Sequence, residues 1–180
     1  MLLTYQECID KYGSDYMIKK EIAQGNLYMK EKGIYSTERN SSELDVISRK
    51  YPRAVFTGKS AFYFHSLTDE IPDMYFLATK RSDTRISDPR VNQSFLKEEI
   101  FEAGIIEMHY NNSYIHVYNA ERMLIELMRF RAKIPLNYYK AIISSYRKKV
   151  DEIDFSLVEE YASMFSNGNK LLETIRLEVL

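Results

Sequence analysis

The sequence predicts an α+β fold in which a small N-terminal module precedes a mixed α/β domain with a helical C-terminal part. Three observations support this prediction. Two short capped helices and a hairpin pattern fill the first 36 residues, and strand-like runs are frequent between residues 54 and 118. From residue 119 onward, apolar residues recur with helical periodicity. We therefore expect a module over residues 1–37 and a second domain over residues 41–180, with strands at about 54–118 and helices at about 119–180.

The composition is that of a folded protein. Of the 180 residues, 45% are hydrophobic, and 15 Tyr and 9 Phe stand against only 6 Gly and 4 Pro, which is enough apolar material for a sizeable core. The single cysteine, Cys8, excludes an internal disulfide and a cysteine-based zinc cluster, and it is predicted to be a buried helix residue. The sequence has no export signal and no apolar run of about 18 residues. We expect a cytoplasmic protein without a membrane partner.

The N-terminal module begins with two delimited helices. Thr4 and Glu7 have the spacing of a capping box and predict a helix over residues 5–12. Ser14 is the predicted N-cap of a second helix over residues 15–24, which ends at Gly25.

A hairpin pattern follows the second helix. Residues 27–30 and 34–36 are strand-like and flank a three-residue connection that ends at Gly33. A helix pair followed by a hairpin is the outline of a winged helix-turn-helix module.

The second helix is predicted to have an apolar and a polar face. Ile18 and Ile22 are spaced to pack inward, whereas the opposite side carries lysines, an aromatic hydroxyl and a small residue. Such a face suits the major groove of DNA, and lysines of the hairpin would contact the flanking backbone. The predicted DNA-binding residues are Tyr16, Lys19, Lys20, Gln24, Lys30 and Lys32. The alternative interpretation is an ordinary solvated helix and turn.

Charge is unevenly distributed along the chain, although the net charge is only −1. Residues 126–149 carry seven basic residues and one acidic residue, whereas residues 151–180 carry seven acidic and two basic residues. The two segments can pair within the fold, or the basic one can bind a polyanion. The candidate phosphate contacts outside the module are Arg81, Arg85, Arg129 and Arg131.

The second domain is predicted to alternate strands and helices before it becomes helical. Strands are expected at 54–57, 74–79 and 94–101, followed by a hairpin of 105–110 and 113–118 around the turn Asn111-Asn112. Helices are expected at 42–50, 61–67, from the cap Asn119 to about 134, and at 137–150, 154–166 and 168–180.

The sequence Gly58-Lys59-Ser60 after a strand is not read as a phosphate-binding loop. That motif requires a glycine at position 53, which is Arg53 here. Ser60 is instead predicted to be a helix cap.

The predicted hairpin places Glu107, His109 and His116 on one sheet face. Two histidines and a glutamate could hold a metal or perform acid-base chemistry, so a metal-dependent enzyme is one alternative. A polar sheet face with cross-strand pairs explains the same pattern more simply. We therefore expect no catalytic residue, no metal and no cofactor.

Two segments carry a resemblance to a known family. The first is Ser60-Ala61-Phe62-Tyr63-Phe64-His65-Ser66-Leu67-Thr68, and the second is Asn119-Ala120-Glu121-Arg122-Met123-Leu124-Ile125-Glu126-Leu127. Their order after the helix-hairpin module, with Pro72 and a strand at 74–79 between them, resembles the abortive-infection antitoxins of the AbiEi type. The second segment matches the family at Glu121-Arg122, Leu124 and Leu127 and departs from it at Ala120, Met123 and Glu126.

This resemblance implies a phage-defence antitoxin of a type IV toxin-antitoxin system. The N-terminal module would bind inverted repeats in its own promoter and repress the operon. The C-terminal domain would counter a cognate nucleotidyltransferase-like toxin without requiring a stable complex. The alternative within the same fold is a stand-alone winged-helix transcription factor whose C-terminal domain senses a ligand.

Overall fold

A computed structural model describes residues 1–111 and 113–180, which form a mixed α/β structure with two sheets. The chain divides into two compact units. The first unit comprises Met1–Ala54 with His109–Ile115, and the second comprises Val55–Met108 with His116–Leu180. In the described part of the chain, no helix combines the length and apolar character that crossing a bilayer requires.

Residues 1–54 of the first unit contain three strands and three helices. In chain order they are β1 (Leu2–Thr4), α1 (Tyr5–Tyr12), α2 (Asp15–Ala23), β2 (Tyr28–Glu31), β3 (Ile34–Ser36) and α3 (Glu43–Lys50). The antiparallel sheet has the order β1-β3-β2, and α3 packs on β1 and β3. The predicted helices and hairpin of this unit are confirmed, whereas β1 was not predicted.

Local sequence explains why α1 and the hairpin form. The Thr4 side chain accepts a hydrogen bond from the Glu7 backbone N–H, and the Glu7 carboxylate accepts one from the Thr4 backbone N–H, which confirms the capping box. Gly33 has a φ of 85°, and the ladder between β2 and β3 shifts register between Met29 and Glu31. Because of this bulge, the connection is Lys32-Gly33 and is one residue shorter than predicted.

The core of the first unit is small. Its buried cluster comes from β1, α1, α2, β3 and the residue before β2: Leu3, Cys8, Ile18, Tyr35 and Leu27. Partly buried Ile9, Tyr12 and Ile22 pack against them. Burial of Cys8 is confirmed, and it raises the pKa of the thiol above its usual range.

The second unit opens with a sheet region and closes with helices. The strands are β4 (Val55–Phe56), β5 (Tyr75–Lys80), β6 (Val91–Leu96), β7 (Ile105–Tyr110) and β8 (Ser113–Tyr118). The end of β7 and the start of β8 fall within His109–Ile115 and are grouped with the first unit. The helices are α4 (Gly58–Phe64), α5 (Glu98–Phe101), α6 (Ala120–Phe130), α7 (Leu136–Lys148), α8 (Phe155–Ser163) and α9 (Gly168–Glu178). The predicted hairpin strands and the start of α6 are confirmed. Asn112, half of the predicted hairpin turn, lies outside the described residues.

The second sheet is mixed and has the order β6-β5-β4-β8-β7. β4 pairs antiparallel with β5 and parallel with β8, and β6 runs parallel to β5 from Tyr75↔Val91 to Lys80↔Leu96. The single strand predicted over residues 94–101 is wrong, because β6 ends at Leu96 and α5 begins at Glu98. Glu98 and Glu99 occupy the first turn of α5, where acidic side chains favour a helix.

The role predicted for Ser60 is also wrong. The N-cap of α4 is Thr57, and Ser60 lies inside the first turn with no exposed surface. Its hydroxyl accepts a hydrogen bond from the Phe76 N–H at 2.9 Å and contacts the Met74 carbonyl at 3.5 Å. Ser60 therefore connects α4 to the start of β5.

Candidate nucleic-acid interface

The local sequence fixes both ends of α2. The Ser14 hydroxyl accepts a hydrogen bond from the Met17 N–H at 3.3 Å, and Asp15 lies in the first turn. Gly25 ends the helix with a φ of 76°, a conformation that glycine adopts without strain. The capped helix is therefore held in one position on the small core.

The two faces of α2 differ in exposure as predicted. Ile18 is 2% exposed and packs in the core together with the partly buried Ile22. The opposite side, called here the outer face of α2, is exposed throughout and consists of Tyr16, Lys19, Lys20, Ala23 and Gln24. Tyr16 is 74% exposed, which is unusual for a large aromatic side chain. The helix thus presents two ammonium groups, a phenol and an amide to its surroundings.

The lysines of the outer face are nearly free of internal partners. Lys19 Nζ lies 3.9 Å from the Asp15 carboxylate, and both side chains are largely exposed, so water and salt screen this pair. The Lys20 ammonium forms no ion pair or hydrogen bond with any described residue. Both ammonium groups can therefore bind an external anion at little cost.

The two hairpin lysines differ from each other. Lys30 Nζ donates a hydrogen bond to the Arg39 carbonyl and lies 5.7 Å from the centroid of the Tyr28 ring. Lys32, at the turn, is exposed and has no ion-pair partner among the residues described. Lys32 is accordingly the better placed of the two to contact an external phosphate.

Arg39 is a further candidate that the sequence pattern does not indicate. Its side chain is exposed, and its carbonyl holds the Lys30 ammonium, so a further basic residue lies beside the hairpin. A polar segment after the last strand gives no local signal for this contact. Only the folded arrangement of the segment against β2 brings Arg39 close to Lys30.

The charge of the first unit is almost balanced. Residues 1–54 contain nine Lys and Arg and eight Asp and Glu. Some of these pair internally, as Lys50 does with Glu31 at 2.8 Å and Arg49 with Glu7. A polyanion would therefore be attracted by a local group of lysines rather than by a basic domain.

The four arginines predicted as additional phosphate contacts belong to the second unit and have different surroundings. Arg81 and Arg85 are exposed in the loop after β5. Arg131 lies 3.4 Å from the Glu178 carboxylate. Arg129 is bound to Glu126 at 2.8 Å and stacks on Phe165, with 3.9 Å between its guanidinium carbon and the ring centroid. Arg129 is thus engaged within the fold.

The second resemblance segment lies inside the second unit. Residues 121–128 of α6 are all buried, including the charged Glu121, Arg122 and Glu126. The Asn119 carboxamide oxygen accepts a hydrogen bond from the Arg122 N–H at 2.9 Å, and Glu121 accepts one from the Asp154 N–H at 3.1 Å. These residues cap and connect helices and do not form an exposed surface.

The alternative metal site has little geometric support. Glu107, His109 and His116 are all exposed, and the His109 ring lies 5.0 Å from the Tyr114 ring between centroids. Across residues 1–111 and 113–180, no three His, Cys, Asp or Glu side chains are grouped to hold a metal ion. The arrangement resembles a polar sheet face.

Comparisons with known proteins add no family assignment. No protein-family model matches the sequence, and a search of curated proteins finds no significant match.

Proposed function

We propose that the chain is a DNA-binding repressor of its own promoter, which reads the major groove with the outer face of α2. The observation that carries this proposal is the division of one short, well-capped helix into a buried apolar side and an exposed face with two lysines. The hairpin that follows α2 directly supplies Lys32 at its exposed turn.

The arrangement of elements supports a winged helix-turn-helix reading of the first unit. Two consecutive helices precede a hairpin, and the N-terminal strand completes a sheet of order β1-β3-β2. In this reading α2 is the recognition helix and the hairpin is the wing. The third helix, α3, follows the hairpin and packs on the sheet, where it closes the core.

The chemistry of the outer face suits base and phosphate contacts. The Gln24 carboxamide can pair with the edge of an adenine, and the ammonium groups of Lys19 and Lys20 can reach guanine or phosphate. Because the first unit is nearly neutral, one copy would bind weakly. Two copies on an inverted repeat would reach the affinity of typical specific complexes.

We further propose that the chain is an antitoxin of a type IV system. The support is the resemblance of residues 60–68 and 119–127 to the AbiEi-type family, in which the C-terminal domain counters a nucleotidyltransferase-like toxin. The buried positions of Ser60 and Arg122 indicate that these segments maintain the fold of the second unit. Residues that act on the toxin would then lie on other, exposed parts of this unit. A cytoplasmic location follows from this role.

The proposal is tested by an electrophoretic mobility titration of the purified chain. The probes are the DNA upstream of its own gene and a scrambled duplex of equal length, each at two salt concentrations. We expect the natural duplex to bind more tightly at both salt concentrations, because base contacts add to the salt-dependent phosphate contacts. Equal affinity for both duplexes would contradict the repressor role.

The antitoxin role has a separate test. The chain is co-expressed with the nucleotidyltransferase-like toxin of a neighbouring gene, and growth is measured. A variant carrying Lys19→Ala and Lys20→Ala should still restore growth, because the second unit is proposed to act on the toxin. Failure of the wild-type chain to restore growth would remove the antitoxin role and leave the DNA-binding proposal intact.

A further inference from the structure

A half-open cavity of about 490 Å³ lies in the second unit, and the DNA-binding proposal does not use it. Its walls come from α4, β5, β6 and α6, and from the segment that leads into α7. This volume falls within the range of about 300–1,000 Å³ that is typical of small-molecule sites.

Five aromatic rings contribute to the apolar lining. They are Phe62, Phe76, Phe95, Phe130 and Tyr138. Phe95 and Phe130 are 45% and 40% exposed, so they leave apolar surface in water. A planar apolar ligand that covers these two rings would remove that surface from water and could stack against the other rings.

The charges around the cavity are mainly positive. The only carboxylate among the lining residues, Glu126, accepts hydrogen bonds from both Arg122 and Arg129, which offset its charge. Two lysines also line the cavity. Lys59 Nζ lies 5.4 Å from the Tyr138 ring centroid, and Lys133 Nζ lies 5.7 Å from that of Phe130.

The lysine charges are available to a ligand. The partner of Lys59 is Glu70, at 3.3 Å, and both side chains are substantially exposed, so water screens this pair. Lys133 is exposed and has no carboxylate partner among the described residues. A bound anion beside the aromatic rings would therefore gain two favourable charge interactions, whereas a cation would be repelled.

We propose that this cavity binds an aromatic monoanion, with its planar body against the phenylalanine rings and its carboxylate or sulfonate group at Lys59 and Lys133. The proposal does not depend on DNA binding. It assigns to the second unit a small-molecule site with a defined preference for charge and shape.

The test uses two fluorescent probes of similar shape and different charge with the full chain. The anionic probe is 8-anilinonaphthalene-1-sulfonate, and the neutral probe is N-phenyl-1-naphthylamine. We expect the sulfonate to bind with saturation at one site per chain. In a variant with Lys59→Gln and Lys133→Gln, the affinity for the sulfonate probe should fall by about tenfold, because the charge interactions are lost. The affinity for the neutral probe should change by less than about twofold. Equal weakening of both probes, or no weakening, would overturn the proposal.

Matched variants distinguish binding inside the cavity from a general effect of surface charge. Lys140→Gln with Lys148→Gln removes the same charge from exposed positions outside the cavity lining. This variant should bind both probes with unchanged affinity. Ser94→Phe places a ring at an exposed lining position and should exclude both probes. Binding that survives Ser94→Phe would contradict this location.

Wild-type protein alone gives an independent result if a variant fails to fold. Unlabelled 1-naphthoate should displace the sulfonate probe, and 1-naphthylmethylamine, a cation at neutral pH, should not. The naphthoate should also raise the unfolding temperature, because a ligand of the native state stabilises it by mass action. Equal displacement by the two compounds, or an unchanged unfolding temperature, would refute the site.

Discussion

Arg122, which has no exposed surface, donates hydrogen bonds to Glu126 one helical turn away, at 2.7 Å from Nη2 and 3.1 Å from Nε. The guanidinium also donates to the Ile100 carbonyl at 2.9 Å and lies 5.1 Å from the centroid of the Tyr118 ring. Arg129 approaches the same carboxylate from the other side. A charged cluster thus joins α6 to the end of α5 and to β8 within the second unit.

The first prediction concerns this cluster. Glu126→Ala should lower the free energy of unfolding by about 3–5 kcal/mol, because Arg122 would remain buried without its counter-charge. Urea denaturation monitored by circular dichroism measures the change. The double variant Arg122→Met with Glu126→Leu should be less destabilised than Glu126→Ala, because the fully buried guanidinium of Arg122 is removed together with its counter-charge. A double variant that is destabilised as much as Glu126→Ala, or more, would contradict this account.

Local sequence signals predicted the helices and the hairpin of the first unit but did not predict β1. Thr4, Glu7 and Ser14 act within one helical turn, so short-range chemistry determines where α1 and α2 begin. β1 has three residues, and its pairing of Leu3 with Tyr35 spans most of the unit. A run of that length has no period that distinguishes a strand from a coil.

The errors in the second unit have the same physical origin. Ser60 has the composition of a cap, but its hydroxyl bonds to β5, a partner 16 residues away. The strand predicted over residues 94–101 merged two elements, although Glu98 and Glu99 did signal a helix start. The segment around Arg122 is buried in the second unit. Its burial could not be read from the sequence, because arginine and glutamate are usually exposed.

The candidate interface was predictable for a different reason. The outer face of α2 follows from helical periodicity alone, once Ser14 and Gly25 set the helix ends. The restraint of Lys30 by the Arg39 carbonyl depends on the path of the chain after β3 and had no sequence signal.

The second prediction concerns phosphate contacts by α2. Lys19→Ala with Lys20→Ala should weaken binding to the upstream duplex and reduce the slope of log K against log salt by about 0.9 for each lost phosphate contact. The matched control is Lys140→Ala with Lys148→Ala, which removes two exposed lysines from the second unit. A titration in which both variants bind alike would remove α2 from the interface.

The third prediction concerns base reading. Gln24→Ala should relax the preference for one base pair of the operator by about 1–3 kcal/mol, because a carboxamide that pairs with adenine discriminates against the other bases. Binding to a set of duplexes with single base-pair changes measures this effect. The salt slope should stay as in the wild type, since Gln24 carries no charge. A uniform loss of affinity across all duplexes would instead indicate a structural role.

The fourth prediction concerns Ser60. Ser60→Ala should destabilise the chain by about 1–3 kcal/mol, because the Phe76 N–H would lose its hydrogen-bond acceptor. Chemical denaturation gives the value, and exposed Ser94→Ala is the control, for which we expect a change within about 0.5 kcal/mol. An equal effect of the two substitutions would show that the bond between α4 and β5 contributes little.

The fifth prediction concerns His65 and pH. Its Nε2 lies 2.7 Å from the Tyr118 carbonyl, which accepts from it, and burial lowers the pKa of the imidazole below its usual value. The hydrogen bond to Tyr118 and the charge of Glu121 oppose this shift, and Lys149 adds to it. The folded state therefore keeps His65 neutral at a pH where the unfolded state already protonates it.

The direction of the pH dependence follows from this difference. Below the unfolded pKa of about 6.5, the unfolded chain binds more protons than the folded chain, so the free energy of unfolding falls as the pH decreases toward the folded pKa. Three carboxylates also contribute to the pH dependence of stability: Glu7, Glu38 and Asp154. Hydrogen bonds lower their pKa values in the folded state, so their contribution to the free energy of unfolding is lost only below about pH 4–5. Urea denaturation between about pH 5 and 7.5 covers the range in which His65 is expected to contribute and avoids the range of these carboxylates. His65→Gln should flatten the curve in this window relative to the wild-type chain. A wild-type curve that is already flat between these pH values would show that the protonation of His65 is not linked to folding.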